Sequence, residues 1–269
     1  MDKYYTTPNI NRERIKQFLE KGKRFDGRKP EEFREIIIER DVSKKAEGSC
    51  KVKIGKTEVI VGVKMGVGTP YADSPAKGNL MTTAELTPLS SPRFEAGPPQ
   101  FPAIELGRVI DRGLRESGFI NFDGLCIKEG EKVWTIFVDI YTLNDDGNLM
   151  DAAGIGSVVA LKLAKIPKYD ENSEQILYDE LTDKGLPLND ILPIAITAHK
   201  IGNSIVFDPT REEEDVSESR VTIGSSNGTI SSMQKGEDCA LSVEEMHKIL
   251  EMNDKVWQDV NKQIEKFLK

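Results

Sequence analysis

The sequence predicts an α+β fold in which two related halves form one compact body behind an N-terminal helical arm. Three observations predict it. Strand-like runs precede a helical segment twice along the chain, the 269 residues suffice for one large domain or two fused small ones, and the 38% apolar content excludes disorder along the whole chain. The predicted units are residues 1–30 (arm and joint), 31–166 (first half), 167–189 (connector) and 190–269 (second half).

The arm is predicted as a helix over residues 9–21. Ile15, Phe18 and Leu19 form a narrow apolar stripe at helical spacing, and Gly22 is a plausible stop. The first 24 residues carry seven Lys/Arg against three acidic residues and no apolar core segment, so we expect neither a secretory signal nor a membrane span. The basic surplus suggests an arm laid over the body.

The first half is predicted to contain six strands, a Pro-rich loop and two helices. The strands are placed at 33–40, at 50–54 and 57–65 around the tight turn Gly55-Lys56, and near 80–86, with further strands at 124–129 and 133–143. The loop covers 87–102, and the helices cover 103–117 and 152–165. The second helix is apolar almost all round, so we expect it to be buried.

The second half is predicted to repeat this order after a polar connector over 167–187. Its strands are placed at 191–199, 204–208, 220–223 and 228–233. A C-terminal helix begins at Ser242, whose hydroxyl and the Glu245 side chain form a capping box.

The net charge and the cysteine content limit the classes of function that this chain can have. With 37 Lys+Arg against 45 Asp+Glu, the net charge of −8 makes the whole chain a poor nucleic-acid binder, so any RNA contact needs a local basic face. The three Cys are widely spaced without a C-x-x-C pair, and the two His stand alone. We therefore expect a cytoplasmic protein with no metal site and no cofactor.

The helix at 103–117 carries the sharpest constellation of side chains. Its apolar residues fall on one side, and Arg108, Arg112 and Arg115 fall within about 60° of each other on the opposite side. Three guanidiniums on one stripe can hold several phosphates. The alternative, which the residues alone favour, is a solvated face with i,i+4 ion pairs from Arg115 to Asp111 and from Arg112 to Glu116.

Two other features have less specific interpretations. The run 208–220 holds six acidic residues, which could bind a divalent cation, although a solvated hairpin tip is the commoner reason for such a run. His199 ends a predicted strand without a Ser or Cys nucleophile nearby, so packing is a better interpretation than catalysis.

The segment from Arg24 to Ile36 resembles the opening motif of RNase PH-like proteins, a family that includes RNase PH, polynucleotide phosphorylase and the exosome ring subunits. The match continues through the arginine helix, the Asp145-Asp146-Gly147 turn and the strand at Asp208, and covers roughly residues 22–265. The resemblance implies an RNase PH-like fold. Within the family, the chain looks most like the non-catalytic ring subunit of the archaeal exosome.

Two departures from the family pattern support that assignment. Active members carry Thr/Ser-Arg where this chain has Leu149 and Met150, and a catalytic Asp where it has Arg220. Met cannot hold phosphate, and Arg cannot donate a proton at neutral pH. The resemblance thus implies no catalytic residue in this chain. Its partners would be an active RNase PH-like subunit that alternates with it in a six-membered ring, RNA-binding cap subunits, and single-stranded RNA.

The resemblance also changes the interpretation of the arginines. In the family the arginine helix borders the RNA path, so Arg108, Arg112 and Arg115 become RNA-binding candidates, with Arg93 weaker, while Arg24 and Arg28 would tie the arm to the body. The alternative is an active phosphate-dependent 3′-to-5′ exoribonuclease that uses Asp215 or Glu218 with Arg211. A third possibility is a scaffold without RNA contact.

Overall fold

A computed structural model describes residues 7–170 and 173–268. The arm helix α1 covers Asn9–Glu20, one residue shorter than predicted. Gly22, at φ +67°, donates its N–H to the carbonyl of Leu19 (2.9 Å), and Lys23 donates to the carbonyl of Phe18 (3.0 Å). This is a Schellman ending, which confirms Gly22 as the helix stop. Residues 1–6 of the predicted arm lie outside the described residues.

The first half is a six-stranded sheet with two helices against it. Its elements are β1 (Ile36–Arg40), β2 (Gly48–Ile54), β3 (Thr57–Gly68), β4 (Asn79–Glu85), α2 (Phe101–Glu116), β5 (Cys126–Lys128), β6 (Lys132–Asn144) and α3 (Leu149–Leu163). The strand order is β1-β2-β3-β6-β4, with β5 also on β6. Only β4 runs parallel to its neighbour β6, because α2 and the Pro-rich loop return the chain between them.

Helix α3 explains how the two halves share one core. It packs against β2 and β3 on one side and against the second half on the other, so its apolar residues are buried all round as predicted. It begins at Leu149, three residues earlier than predicted, after Asn148 in the left-handed region at φ +63°. The sequence pattern missed these residues because the polar turn before them breaks the apolar periodicity.

The second half is a four-stranded antiparallel sheet covered by a long C-terminal helix. Its elements are β9 (Ile194–Ile201), β10 (Ser204–Phe207), α4 (Arg211–Glu214), β11 (Ser219–Ser226), β12 (Thr229–Gly236) and α5 (Val243–Leu268). The strand order is β10-β9-β11-β12. The indole N–H of Trp257 on α5 donates to the carbonyl of Ser225 (2.8 Å), which fixes the helix over the sheet. The predicted capping box at Ser242 and Glu245 is confirmed, with bonds of 2.8 and 3.2 Å.

The polar connector holds two strands that the sequence analysis did not predict. It contains β7 (Lys165–Asp170) and β8 (Gln175–Gly185), which pair as an antiparallel two-stranded ribbon. Most side chains of β8 are exposed, so no apolar alternation marks it as a strand. Residues 171–172 lie outside the described part.

None of the helices in the described ranges combines the length and the apolar character that crossing a membrane requires. The longest, α5, is amphipathic and lies on the sheet.

Candidate nucleic-acid interface

Helix α2 turns its apolar side to the core and two arginines to solvent. Leu106, Ile110 and Leu114 are buried, whereas Arg108 and Arg112 are exposed. Arg108 makes no hydrogen bond or ion pair with any residue that the structure describes. Arg112 Nη1 donates to Oε1 of Gln234 on β12 (3.0 Å). Gln234 could not be predicted as a partner of Arg112, because the two residues lie 122 positions apart in the chain.

Arg115 is held more firmly than its two neighbours. Its Nε and Nη2 donate to the two carboxylate oxygens of Asp111, both at 3.0 Å, and Nη2 also donates to the carbonyl of Leu80 (2.9 Å). Its guanidinium carbon lies 5.9 Å from the centre of the Phe122 ring. The predicted pair between Arg115 and Asp111 is confirmed. The predicted ion pair between Arg112 and Glu116 is wrong, because Arg112 donates to Gln234 instead.

Arg220 lies on β11 beside the first turns of α2. Its Nη2 donates to Oε2 of Glu105 (2.6 Å), and its Nε lies 3.8 Å from a carboxylate oxygen of Glu237. On β9 the residue opposite is His199, which is buried and lies 3.1 Å from the Ser217 hydroxyl. Burial, reinforced by the charges of Arg220 and Arg211, lowers the pKa of His199 to about 3. A neutral, buried imidazole fits the packing interpretation.

The start of α3 is a helix N-terminus that faces carboxylates. Leu149 and Met150 are buried there, and the N–H of Asn148 donates to Oε2 of Glu214 (3.2 Å). Asp145, four residues before the helix begins, accepts from the N–H of Gly147 (3.1 Å). Burial raises the pKa of Asp145, and the charge of Arg211 only partly offsets this effect. The side chains at this helix end are therefore carboxylates, and Arg211 pairs with both of them.

The acidic run is an ion-pair network and not the solvated hairpin tip that was predicted. Residues 211–214 form α4, where the Thr210 hydroxyl and the Glu213 carboxylate make a capping box. Arg211 lies 3.2 Å from carboxylate oxygens of Asp145, Glu214 and Asp215. The prediction failed because further cations come from distant parts of the chain: Arg24 binds Glu213, Arg93 binds Asp215 and Lys16 binds Glu218.

Asp215 is the meeting point of the acidic run, the arm and the Pro-rich loop. Arg93 binds both of its carboxylate oxygens, at 2.5 and 2.6 Å, and the backbone and hydroxyl of Thr7 donate to Oδ2. Burial raises the pKa of Asp215, but Arg93 and Arg211 outweigh it and bring the pKa to about 2. Glu218, further along the run, pairs with Lys16 of the arm (2.6 Å). Arg93 thus belongs to this network.

Asp208 is a buried carboxylate that binds residues from the joint, the first half and the start of α3. Its carboxylate accepts from Arg34 (2.7 and 2.9 Å), from Arg28 (2.8 Å) and from the Asn148 side chain (2.8 Å). Arg24 donates to its carbonyl (2.7 Å) and to Glu213. Burial raises the pKa of Asp208, but the hydrogen bonds and charges of Arg34 with the charge of Arg28 hold that pKa below its ordinary value.

The predicted structural role of Arg24 and Arg28 is confirmed by these contacts. Arg34 was missed, although it stands in the same opening motif. In the described ranges, no three His, Cys, Asp or Glu side chains are grouped so that they could hold a metal ion.

Two family models match the chain. The model for domain 1 of the 3′ exoribonuclease family matches residues 32–167, and the model for domain 2 matches residues 192–253. The chain belongs to the RNase PH family of 3′ exoribonucleases. The predicted family and its fold are therefore confirmed.

Relatives within the RNase PH family are similar over most of the chain. The exosome complex component Rrp42 of Methanocella arvoryzae is 47% identical over 244 residues, which are 90% of this chain and 91% of that protein. The corresponding component of Thermococcus onnurineus is 46% identical, covering 88% of each chain.

Chains in solved exosome structures are likewise similar to this chain over nearly its whole length. A chain of the Archaeoglobus fulgidus exosome with RNA bound to the active site has a TM-score of 0.87 at 40% identity, covering 95% of this chain and 98% of that one. A chain of an archaeal exosome core has a TM-score of 0.84 at 37% identity, covering 97% of each.

Proposed function

We propose that this chain is a non-catalytic, RNA-binding and structural subunit of an exosome ring that degrades RNA from its 3′ end by phosphorolysis. One observation carries the proposal: the two positions at which active family members hold phosphate and an acid are occupied here by Met150 and Arg220. Met150 is buried in the first turn of α3, and Arg220 is bound to Glu105.

Electrostatics at the start of α3 argue against phosphate binding by this chain. A helix N-terminus attracts anions through its free N–H groups, and active members add a guanidinium to it. Here Glu214 already accepts from the N–H of Asn148, and Asp145 lies one turn away. The attacking phosphate would meet these carboxylates, and the guanidinium beside them, Arg211, is already paired with both. Phosphorolysis also needs a proton donor for the leaving oxygen, which Arg220 cannot be.

The RNA contact of the proposed function rests on Arg108 and Arg112. Both are exposed on α2, and neither is in an ion pair with a described residue, so their guanidiniums can bind phosphate without breaking a strong interaction. Arg115 would have to leave Asp111 and the carbonyl of Leu80. Arg93 would have to leave Asp215, so it is the weakest of the four candidates.

The ring would contain two alternating subunit types. The active RNase PH-like partner supplies the catalytic acid and the phosphate ligand, and this chain completes that active site and holds the RNA backbone. RNA-binding cap subunits and single-stranded RNA are the remaining partners. The relatives named exosome component Rrp42, and the solved exosome with RNA bound to its active site, support this proposal.

A degradation assay with phosphate and labelled RNA tests the proposal. We expect no product from the purified chain, and phosphate-dependent shortening from the 3′ end after the active partner is added. An Arg108→Glu/Arg112→Glu variant should assemble with the partner but lose most of that activity. Lys44→Glu/Lys45→Glu, a double charge reversal at exposed lysines elsewhere, is the matched control.

Strong activity from the purified chain alone would overturn the proposal and favour the alternative of an active enzyme. Under that alternative, single substitutions of Asp215, Glu218 and Arg211 should abolish activity. In the structure these three side chains are engaged in the ion pairs of the arm and the acidic run.

Salt dependence separates RNA binding from a pure scaffold. If Arg108 and Arg112 contact phosphates, each substitution by Ala should reduce the slope of log affinity against log salt by about 0.7 to 1 in the assembled complex. An unchanged slope and affinity would leave a scaffold without RNA contact.

A further inference from the structure

The outward face of the arm carries aromatic and basic side chains that the proposed function does not use. We define the arm stripe as Ile10, Arg14, Phe18, Lys21, Lys23 and Phe25, all of them exposed. In α1 the residues 10, 14 and 18 follow each other at i,i+4 spacing, so they lie in one row along the helix.

The body of the protein fixes the direction in which this row points. Ile15 and Leu19 are buried in a small core with Ile201, Val206 and Val216. Lys16 pairs with Glu218 on the same side. At about 100° per residue, the row of Ile10, Arg14 and Phe18 is centred about 120° around the helix from Ile15 and Leu19, with Phe18 at the edge next to Ile15. Docking of the arm therefore presents the stripe outward.

The helix ending brings the two aromatic rings together. The Schellman bonds at Gly22 and Lys23 reverse the chain, and the Phe25 ring packs edge-on against the Phe18 ring with centroids 4.9 Å apart. The two residues remain 38% and 46% exposed. Since backbone hydrogen bonds set this arrangement, little conformational entropy is lost when a ligand stacks on it.

The cations of the arm stripe are available for a ligand. Arg14, Lys21 and Lys23 form no ion pair with the residues described in the structure. On the docked side of the helix, by contrast, Arg12 donates to the carbonyl of Asp215 and Lys16 pairs with Glu218. The acidic residues of α1, Glu13 and Glu20, lie about 110° away around the helix. The patch is thus locally positive in a chain of net charge −8.

We propose that the arm stripe is a second binding site for single-stranded RNA. Arg14, Lys21 and Lys23 contact the phosphates, and an unpaired base stacks on the exposed face of one of the two edge-on rings, Phe18 or Phe25. Exposed aromatic rings beside cations are the combination by which proteins bind single-stranded nucleic acid. The inference rests on the proposed function, because it extends the RNA path to the arm.

Fluorescence anisotropy with a labelled oligoadenylate tests the arm stripe, with the full chain alone and in the assembled ring. The triple variant Arg14→Ala/Lys21→Ala/Lys23→Ala should reduce the salt slope by about two, because each lost contact to a single strand contributes about 0.7. The matched control removes three exposed lysines elsewhere, Lys44, Lys45 and Lys56, and should leave the slope unchanged.

A second variant tests the stacking. Phe18→Leu/Phe25→Leu keeps apolar side chains on the arm but removes the rings, and should weaken RNA binding roughly five-fold or more. Equal melting temperatures of variant and parent confirm that the arm remains docked.

Unchanged affinity and salt slope in both arm variants would overturn the inference. If Arg108→Ala/Arg112→Ala loses RNA in the same experiment, the proposed function survives that failure. If the arm variants bind RNA normally but no longer enter the ring, the stripe is a protein contact, which also overturns the inference.

Discussion

Asp208 joins three distant parts of the chain through one buried carboxylate. Arg28 reaches it from the joint, Arg34 from the segment just before β1, and Asn148 from the start of α3. The Asp208 side chain is completely buried, and its own backbone is in the left-handed region at φ +45°. A charge in such a place is tolerated only with full pairing, so the two arginines and the carboxylate depend on each other.

Asp208→Asn should therefore be strongly destabilising. The variant keeps the shape but leaves two guanidiniums with one neutral acceptor, and we expect a loss on the order of 3–5 kcal/mol in the free energy of unfolding. Urea denaturation measures it. Asp146→Asn is the matched control, because that carboxylate is 35% exposed and lies 3.4 Å from the same Arg34. Similar losses in both variants would contradict the argument.

His199 and Asp151 are buried groups with opposite effects on stability. The pKa of His199 is lowered to about 3 by burial and by nearby arginines, so its contribution is lost as pH falls from about 6.5 toward 3. Burial raises the pKa of Asp151 to about 7, against the hydrogen bonds from Thr197, so its contribution is lost as pH rises from about 4 to 7.

His199→Gln should isolate the histidine contribution. The stability difference between parent and variant should be largest near pH 7 and shrink by up to about 1.4 kcal/mol per pH unit as the pH falls below 6.5. Urea unfolding between pH 4 and 7 measures this difference. His247→Gln controls for the loss of an exposed imidazole. A difference for His199→Gln that does not vary with pH would refute the assignment.

Among the secondary-structure elements, α3 sets the tightest packing. Its last turn lies directly on Gly48 of β2, where a Cβ would fall 2.6 Å from the Cα and N of Ala164 and would also meet the carbonyl of Ala160. No other residue would let the helix approach the strand so closely. The helix N-terminus is fixed at the same time by Asp151, which accepts from the hydroxyl (2.6 Å) and the N–H (3.1 Å) of Thr197.

Gly48→Ala should cost on the order of 2–3 kcal/mol, because α3 or β2 must move to admit the methyl group. The Gly62→Ala variant is the control on β3, where the added Cβ would meet only the Ala46 Cβ, at 3.8 Å. Neither glycine has a positive φ, so the comparison measures packing alone. Thermal unfolding of the two variants decides the point, and equal melting temperatures would show that the contact is not tight.

Across the whole molecule, the two sheets share a single core. Residues from β3, α3, β9, β11 and α5 all belong to one buried cluster. The buried pairs at Asp208 and Asp151 also bridge the two halves. Two family domains are thus packed as one unit, and unfolding either half would expose apolar surface of the other.

The two tryptophans offer a direct test of this cooperativity. Trp134 lies on β6 in the first half and Trp257 on α5 in the second, and the chain has no others. In Trp134→Phe and in Trp257→Phe, the remaining fluorescence and the far-UV circular dichroism should change at the same urea concentration. If either tryptophan reports a separate transition, the halves unfold independently and the shared core is too weak to couple them.

Local patterns in the chain were enough to predict most helices and strands, the stop at Gly22, the buried α3 and the family. These features depend on neighbouring residues whose apolar spacing and turn chemistry can be read directly. The ribbon of β7 and β8 could not be predicted, because strands that are exposed on most of their surface carry no apolar alternation. Whether the acidic run is solvated or ion-paired could not be predicted from neighbouring residues. Three of its partners, Arg24, Arg34 and Arg93, reach it from more than 100 residues away. Whether a charged side chain is free to bind RNA or is already paired is a property of these long-range contacts.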